Sequence, residues 1–142
     1  MKTLDNTDKF YLKMMAIGAS GTGKTHFSGS FPKAYFLSLE PGGMDTIRTN
    51  QELKKTLIGW DEFIPESPAD TKRIFDELNK ATIDAKELAK KGEIETLVLD
   101  NISFLSENRW IYINQYEKEV SATTGVLNTQ AMYGKLARWL YQ

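Results

Sequence analysis

Eight residues near the start of the chain, Gly18-Ala19-Ser20-Gly21-Thr22-Gly23-Lys24-Thr25, restrict the fold more than any other stretch. They fit G-x-x-x-x-G-K-[ST], a loop that joins a strand to a helix and cradles phosphate. Gly18, Gly21 and Gly23 permit backbone conformations and close approaches that a Cβ would block. Successive N–H groups then turn inward as a nest for anionic oxygens. A helix is expected to start near Gly23, adding its free N–H groups and positive dipole end. Lys24 reaches the β- and γ-phosphates as a point charge. The Thr25 hydroxyl is placed to hold Mg²⁺, which keeps most of its water and takes few protein ligands. The candidate nucleotide-binding residues are therefore Gly18, Ser20, Gly21, Thr22, Gly23, Lys24, Thr25 and His26.

The surroundings agree with the motif. Tyr11 to Ile17 is a mostly apolar run of strand length, and Lys24 to Ser30 can form a short helix before Pro32 stops it. His26, the sole histidine, tempts as a base. It sits on the first helical turn, where a side chain usually points away from the γ-phosphate, so packing or surface is the stronger reading of its role.

A length of 142 residues allows one domain with room for a real core. Its net charge of −1 gives no global field that attracts nucleic acid. With no cysteine there are no disulfides, thiolate metal sites or cysteine nucleophiles, which fits a reducing cytoplasm. The N-terminus is polar and unlike a signal peptide. No run approaches the ~18 apolar residues of a membrane span, so no membrane partner is expected.

Beyond the loop, Ala34 to Leu39 reads as a second strand ending in the turn Glu40-Pro41-Gly42-Gly43. Glu40 thus stands at the C-terminal tip of a strand, the edge where open α/β sheets bind ligands. Residues 44–57 are polar and partly helical, with Asp45 as a helix cap. Residues 57–64 suit either a short strand or an irregular apolar segment. A helix is expected over 69–91, since Ile74, Leu78, Ala81, Ala85 and Leu88 share one face. Its lysines and Arg73 are interspersed with acids and read as a solvated face. Ile94 to Asp100 is a third strand ending in an acid. Following the loop by about 75 residues, it fits the Walker B pattern, in which the Asp accepts hydrogen bonds from Mg²⁺-bound water beside Thr25. Helical spacing continues over 104–120. Ser121 to Gly125 is a small polar loop, and Asn128 or Thr129 can cap a last helix carrying Met132, Leu136, Trp139 and Leu140.

Hydrolysis needs a group that orients or deprotonates water near the γ-phosphate, and Glu40 is the best candidate on position. The alternative is a solvated turn acid.

Taken together, the loop, Phe31-Pro32-Lys33, the strand ending Leu39-Glu40-Pro41-Gly42-Gly43, and Leu97-Val98-Leu99-Asp100-Asn101-Ile102-Ser103 resemble the phage-encoded RecA-like, AAA-type P-loop ATPases of recombination and single-strand annealing. Gln130-Ala131-Met132-Tyr133-Gly134 is similar to a Q-x-x-[WY]-G feature of that group. The resemblance runs over about residues 11–140, with gaps, and Glu-x-Gly-Gly is its more specific part. It implies an α/β, RecA-like three-layer core with a mainly parallel sheet. It implies ATP and Mg²⁺ as ligands, Glu40 and Lys24 as catalytic residues, Thr25 and Asp100 at the metal, single-stranded DNA and further copies of the chain as partners, and the host cytoplasm as location. The loop around 121–128, where such proteins contact DNA, carries no Lys or Arg here.

One departure follows from the resemblance. Another strand, encoded after Walker B, inserts between the P-loop strand and the Walker B strand in those proteins, and this chain stops where it should begin. The core is thus expected to be C-terminally incomplete, or finished by another chain. A kinase-like or GTPase-like order, with the two strands as neighbours, leaves nothing missing. The functional alternatives are a small-molecule kinase and a nucleotide-regulated oligomeric scaffold. A kinase would need several arginines to clamp its acceptor, and Arg48, Arg73, Arg109 and Arg138 are scattered along the chain.

Overall fold

Strand β1 (Ala34–Ser38) is apolar on both faces, and both faces are covered, so it takes the centre of the sheet. The computed structural model describes residues 12–117, 120, 124–125 and 128–140, excluding the side chains of 136, 137, 139 and 140. Strands β2 (Leu57–Glu62) and β3 (Thr96–Asp100) flank β1 in the order β2-β1-β3, and both pairings are parallel. The register sets Ser38 opposite Glu62 on one side and Asp100 on the other. The C-terminal ends of all three strands therefore meet along one edge.

Helices cover the two faces. Below lie α1 (Lys24–Gly29), α2 (Asp45–Thr49) and α3 (Gln51–Thr56), closing a core of Ala34, Phe36, Met44, Ile47 and Leu53. Gly29 allows the close approach: a Cβ there would stand 3.3 Å from Ile47. Above, α4 (Thr71–Lys90) and α5 (Ile102–Tyr116) close a second core of Leu37, Leu39, Phe63, Ile74, Phe75, Leu78 and Leu105. Helix α6 (Thr129–Leu140) packs on α5, with Tyr133 stacked on Trp110 at 4.5 Å between ring centroids. The result is a three-layer α/β core with a parallel sheet, the architecture expected from the sequence.

Several local expectations resolve. Residues 57–62 are a strand, because β1 offers them a parallel partner that the sequence pattern alone could not reveal. The helix expected over 69–91 is α4, preceded by a short 3₁₀ turn at Pro68–Asp70. Its cations lie in the solvated face, with Arg73 paired to Glu77 and Lys90 to Glu87. Asp45 is not a cap: Met44 holds that position, and Asp45 is the first residue of α2, 3.7 Å from Arg48. Asn128 does cap α6, its Oδ1 accepting from the Ala131 N–H.

The strand expected over 11–17 does not form among the described residues. Residues 12–17 make no ladder, and Met15 and Ile17 are 65% and 88% exposed. An apolar run of strand length is not enough for a strand, which needs a hydrogen-bonded neighbour. Among the described residues β3 pairs only with β1, leaving its far edge open and Leu97 and Leu99 exposed.

Tyr35 ties β1 to β2: its hydroxyl donates to Asp61 Oδ2 at 2.8 Å. Burial, then the Asp61 hydrogen bond and the charges of Asp61 and Asp84, push the phenol up to about 12. The folded state therefore favours the protonated phenol. That contribution is complete below pH 10, the value for an unperturbed Tyr, and is lost as pH rises towards 12. Urea midpoints of the wild type and Tyr35→Phe, measured from pH 8 to about 11.5, should show a gap that is constant below the unperturbed value and narrows above it.

Candidate functional site

The candidate site is built on the edge where β1 and β3 end. The Leu39 N–H donates to the Asp100 carbonyl at 2.7 Å, so the two chains leave the sheet side by side. Glu40 and Asn101 emerge next to each other for this reason. A tight turn then fixes Glu40: the Gly43 N–H donates to the Glu40 carbonyl at 2.9 Å, with Gly42 at a φ of 72°. A Cβ on Gly43 would press to 3.0 Å against both the Glu40 carbonyl oxygen and the buried Ser38 Oγ. The Glu-Pro-Gly-Gly sequence is thus a geometric requirement of the turn that aims Glu40.

The glycine-rich loop precedes α1 as the motif requires. Gly21 and Gly23 have φ of 77° and 87°, in the left-handed region, and Gly23 is the N-cap of α1. Nothing lies within 4 Å of a Cβ at either, so their need for glycine is conformational. At Gly18 it is steric, since a Cβ would meet Thr22 Oγ1 at 2.7 Å. The Lys24 ammonium folds back and donates to the carbonyls of Gly18 and Ala19 at 2.9 and 2.8 Å. It thereby stands inside the loop whose N–H groups would hold phosphate. An open cleft of about 360 Å³ runs past Ile17, Gly18, Gly23, Lys24 and Phe27.

Thr25 and Asp100 meet directly: the hydroxyl donates to Asp100 Oδ2 at 2.6 Å, across 75 residues of sequence. Asp100 is buried, at 6% exposure, so the hydrogen bond answers a carboxylate largely removed from water. Asn101, the residue after it, donates from Nδ2 to Glu40 Oε2 and accepts the Phe104 N–H at Oδ1 at 3.0 Å. The peptide between Asp100 and Asn101 is cis.

Of the residues singled out in the sequence, the structure joins Thr25 to Asp100, sets Glu40 against Asn101, the residue after Asp100, and folds Lys24 back onto its own loop. Gly18, Ser20, Gly21, Thr22 and Gly23 form the exposed loop beside them, and His26 lies exposed on α1. The sequence shows Asn101 only as one residue of the Leu97 to Ser103 run and gives no sign of its bond to Glu40. Its one readable signal was an Asn immediately before a helical pattern, the mark of an N-cap.

A strand-end acid hydrogen-bonded to the residue after the loop lysine is the geometry of a nucleotide site, and the sequence of the whole region agrees. The family model described as AAA domain matches residues 11–142. The chain belongs to the AAA domain family. No curated protein and no solved structure matches it. The AAA domain makes this a nucleotide-binding chain of the P-loop NTPase class, and the three-stranded parallel sheet is the corresponding part of such a core. Among the described residues no helix is long and apolar enough to cross a membrane.

The donor set of this AAA domain suits Mg²⁺. Thr25 Oγ1 and Asp100 Oδ2 are two hard oxygen donors that their hydrogen bond sets side by side. Among the described residues no group of three or more His, Asp or Glu could form an all-protein metal cage. A cation here would take its remaining ligands from water and phosphate, the mode Mg²⁺ prefers.

Proposed function

We propose that this AAA domain hydrolyses ATP in a Mg²⁺-dependent reaction and serves phage-type recombination or annealing on single-stranded DNA. The observation that carries the reading is the unbroken series of contacts at one sheet edge: Thr25 to Asp100, and Asn101, the next residue, to Glu40. The loop N–H groups and Lys24 hold the triphosphate. Thr25 and Asp100 would hold Mg²⁺, which when bound would supply neutralising charge to the triphosphate. Glu40 orients a water and takes its proton as the water oxygen bonds to the γ-phosphorus. The bond from that phosphorus to the β–γ bridging oxygen breaks, and ADP leaves.

A kinase is less well supported. Arg48, Arg73 and Arg109 are each engaged in ion pairs with Glu62, Glu77 and Glu117, not gathered as an acceptor clamp at the loop. The resemblance to RecA-like ATPases supplies single-stranded DNA, self-assembly and the host cytoplasm. In many P-loop ATPases a neighbouring subunit lends a cationic finger, so turnover should depend on assembly. The open edge of β3 supports completion of the sheet by residues beyond 142 or by another chain. The loop at which RecA-like proteins contact DNA carries no Lys or Arg in this chain, and it falls largely on 121–123 and 126–127, outside the described residues.

The test is ATP turnover with and without single-stranded DNA, across a dilution series, on this chain and on a longer one. Stimulation by DNA, and turnover per chain that falls on dilution, are the expected results. ATP consumed only when a nucleotide or metabolite acceptor is added would replace this reading with a kinase. Turnover strictly proportional to chain concentration would remove the requirement for assembly.

A further inference from the structure

We propose that Asn101 is the positioning residue for Glu40, linking the start of α5 to the water-activating carboxylate. This rests on the reading of Glu40 given above.

The two ends of the Asn101 amide have different partners. The Phe104 N–H is a fixed donor, so it must face Oδ1. That commits Nδ2, which can only donate, to the side where Glu40 Oε2 lies. Turning the amide over would set N–H against N–H and oxygen against carboxylate, losing both bonds. The fork therefore has one orientation, fixed by the backbone of α5.

Its mounting is firm. Asn101 is the N-cap of α5, its carbonyl accepts from the Leu105 N–H at 3.3 Å, and Leu105 and Ile113 anchor the helix in the core. Glu40 gains what a flexible acid lacks. A free Glu side chain samples many rotamers, and holding one oxygen removes most of them before substrate arrives. Oε1 has no protein hydrogen-bond partner among the described residues, so the anchored carboxylate keeps one oxygen for water. A neutral amide also suits the place, because Asp100 is adjacent and a third acid would add repulsion. Misplacing a reacting group by about 1 Å can cost ~100-fold in rate, so an arm of this kind has leverage on turnover.

Asparagine serves two roles here through two atoms, and substitution can separate them. Asn101→Ser and Asn101→Asp both keep an oxygen suited to the N-cap and lose the amide N–H. Both should lower turnover at saturating ATP by about tenfold or more, with KM for ATP within about threefold and the thermal midpoint within a few degrees. Added to Glu40→Gln, Asn101→Ser should cost less than about twofold further, because it acts through the same carboxylate. Asn101→Ser with wild-type turnover, beside an inactive Glu40→Gln, would overturn the proposal and leave Glu40 as the base. So would a double variant in which the two losses multiply. A lowered midpoint and raised KM in both Asn101 variants, with turnover kept, would make Asn101 a helix cap alone. Wild-type turnover in Glu40→Gln would remove the Glu40 reading itself, and this proposal with it.

Discussion

Lys24→Ala should abolish measurable ATP hydrolysis, a loss of at least ~100-fold, and weaken binding of ATP clearly. The ammonium is the only full positive charge in the loop motif, and it already sits within it, donating to Gly18 and Ala19. When triphosphate enters, those two weak acceptors are exchanged for β- and γ-phosphate oxygens, a charge-assisted contact that grows as negative charge moves during the reaction. Alanine leaves the N–H nest and helix end in place but removes that contact. Stability should change little, since both present partners of Lys24 are exposed loop carbonyls. Titration with a fluorescent ATP analogue, a phosphate-release assay and a thermal melt test the three parts. Normal hydrolysis by the variant would mean that this loop is not where the triphosphate reacts.

Glu40→Gln should separate binding from chemistry. Glutamine has the same shape and can still accept from Asn101 Nδ2 through its own oxygen, so the turn and the hydrogen bond survive. What disappears is the proton-accepting charge. Turnover should fall on the order of 100-fold or more, the scale of a general base, while ATP affinity stays within about threefold. The comparison is of kcat with Kd for the same nucleotide. A variant that hydrolyses ATP normally would reduce Glu40 to the turn acid that its place before Pro-Gly-Gly also permits.

Much of this arrangement can be read from the sequence because local patterns impose it. The apolar spacing from Ile74 to Leu88 has only one helical face, and the short apolar run Leu97-Val98-Leu99 before Asp100 has the length and content of a strand. Gly21 and Gly23 announce their left-handed backbone through their identity. What could not be read depends on relations between distant segments. Residues 57–62 become a strand because β1 lies beside them. Residues 12–17, for all their apolar content, join no ladder among the described residues. The bond from Asn101 to Glu40 spans 61 residues and follows from a register, Ser38 opposite Asp100, that no local pattern encodes. Asp45 was misjudged for a smaller reason: the turn after Gly43 ends one residue sooner than the acid suggests, so Met44, fully buried, takes the cap position.

The open flank of β3 bears on how the molecule behaves in concentrated solution. Among the described residues the outer N–H and C=O groups of β3, beside exposed Leu97 and Leu99, are unpaired, and such a row is a template for an extended chain. Pairing of that kind is made by the main chain, with little regard for side-chain identity. Association through that flank would engage a different part of the sheet from the strand tips that carry the candidate nucleotide site, so self-association need not block the site.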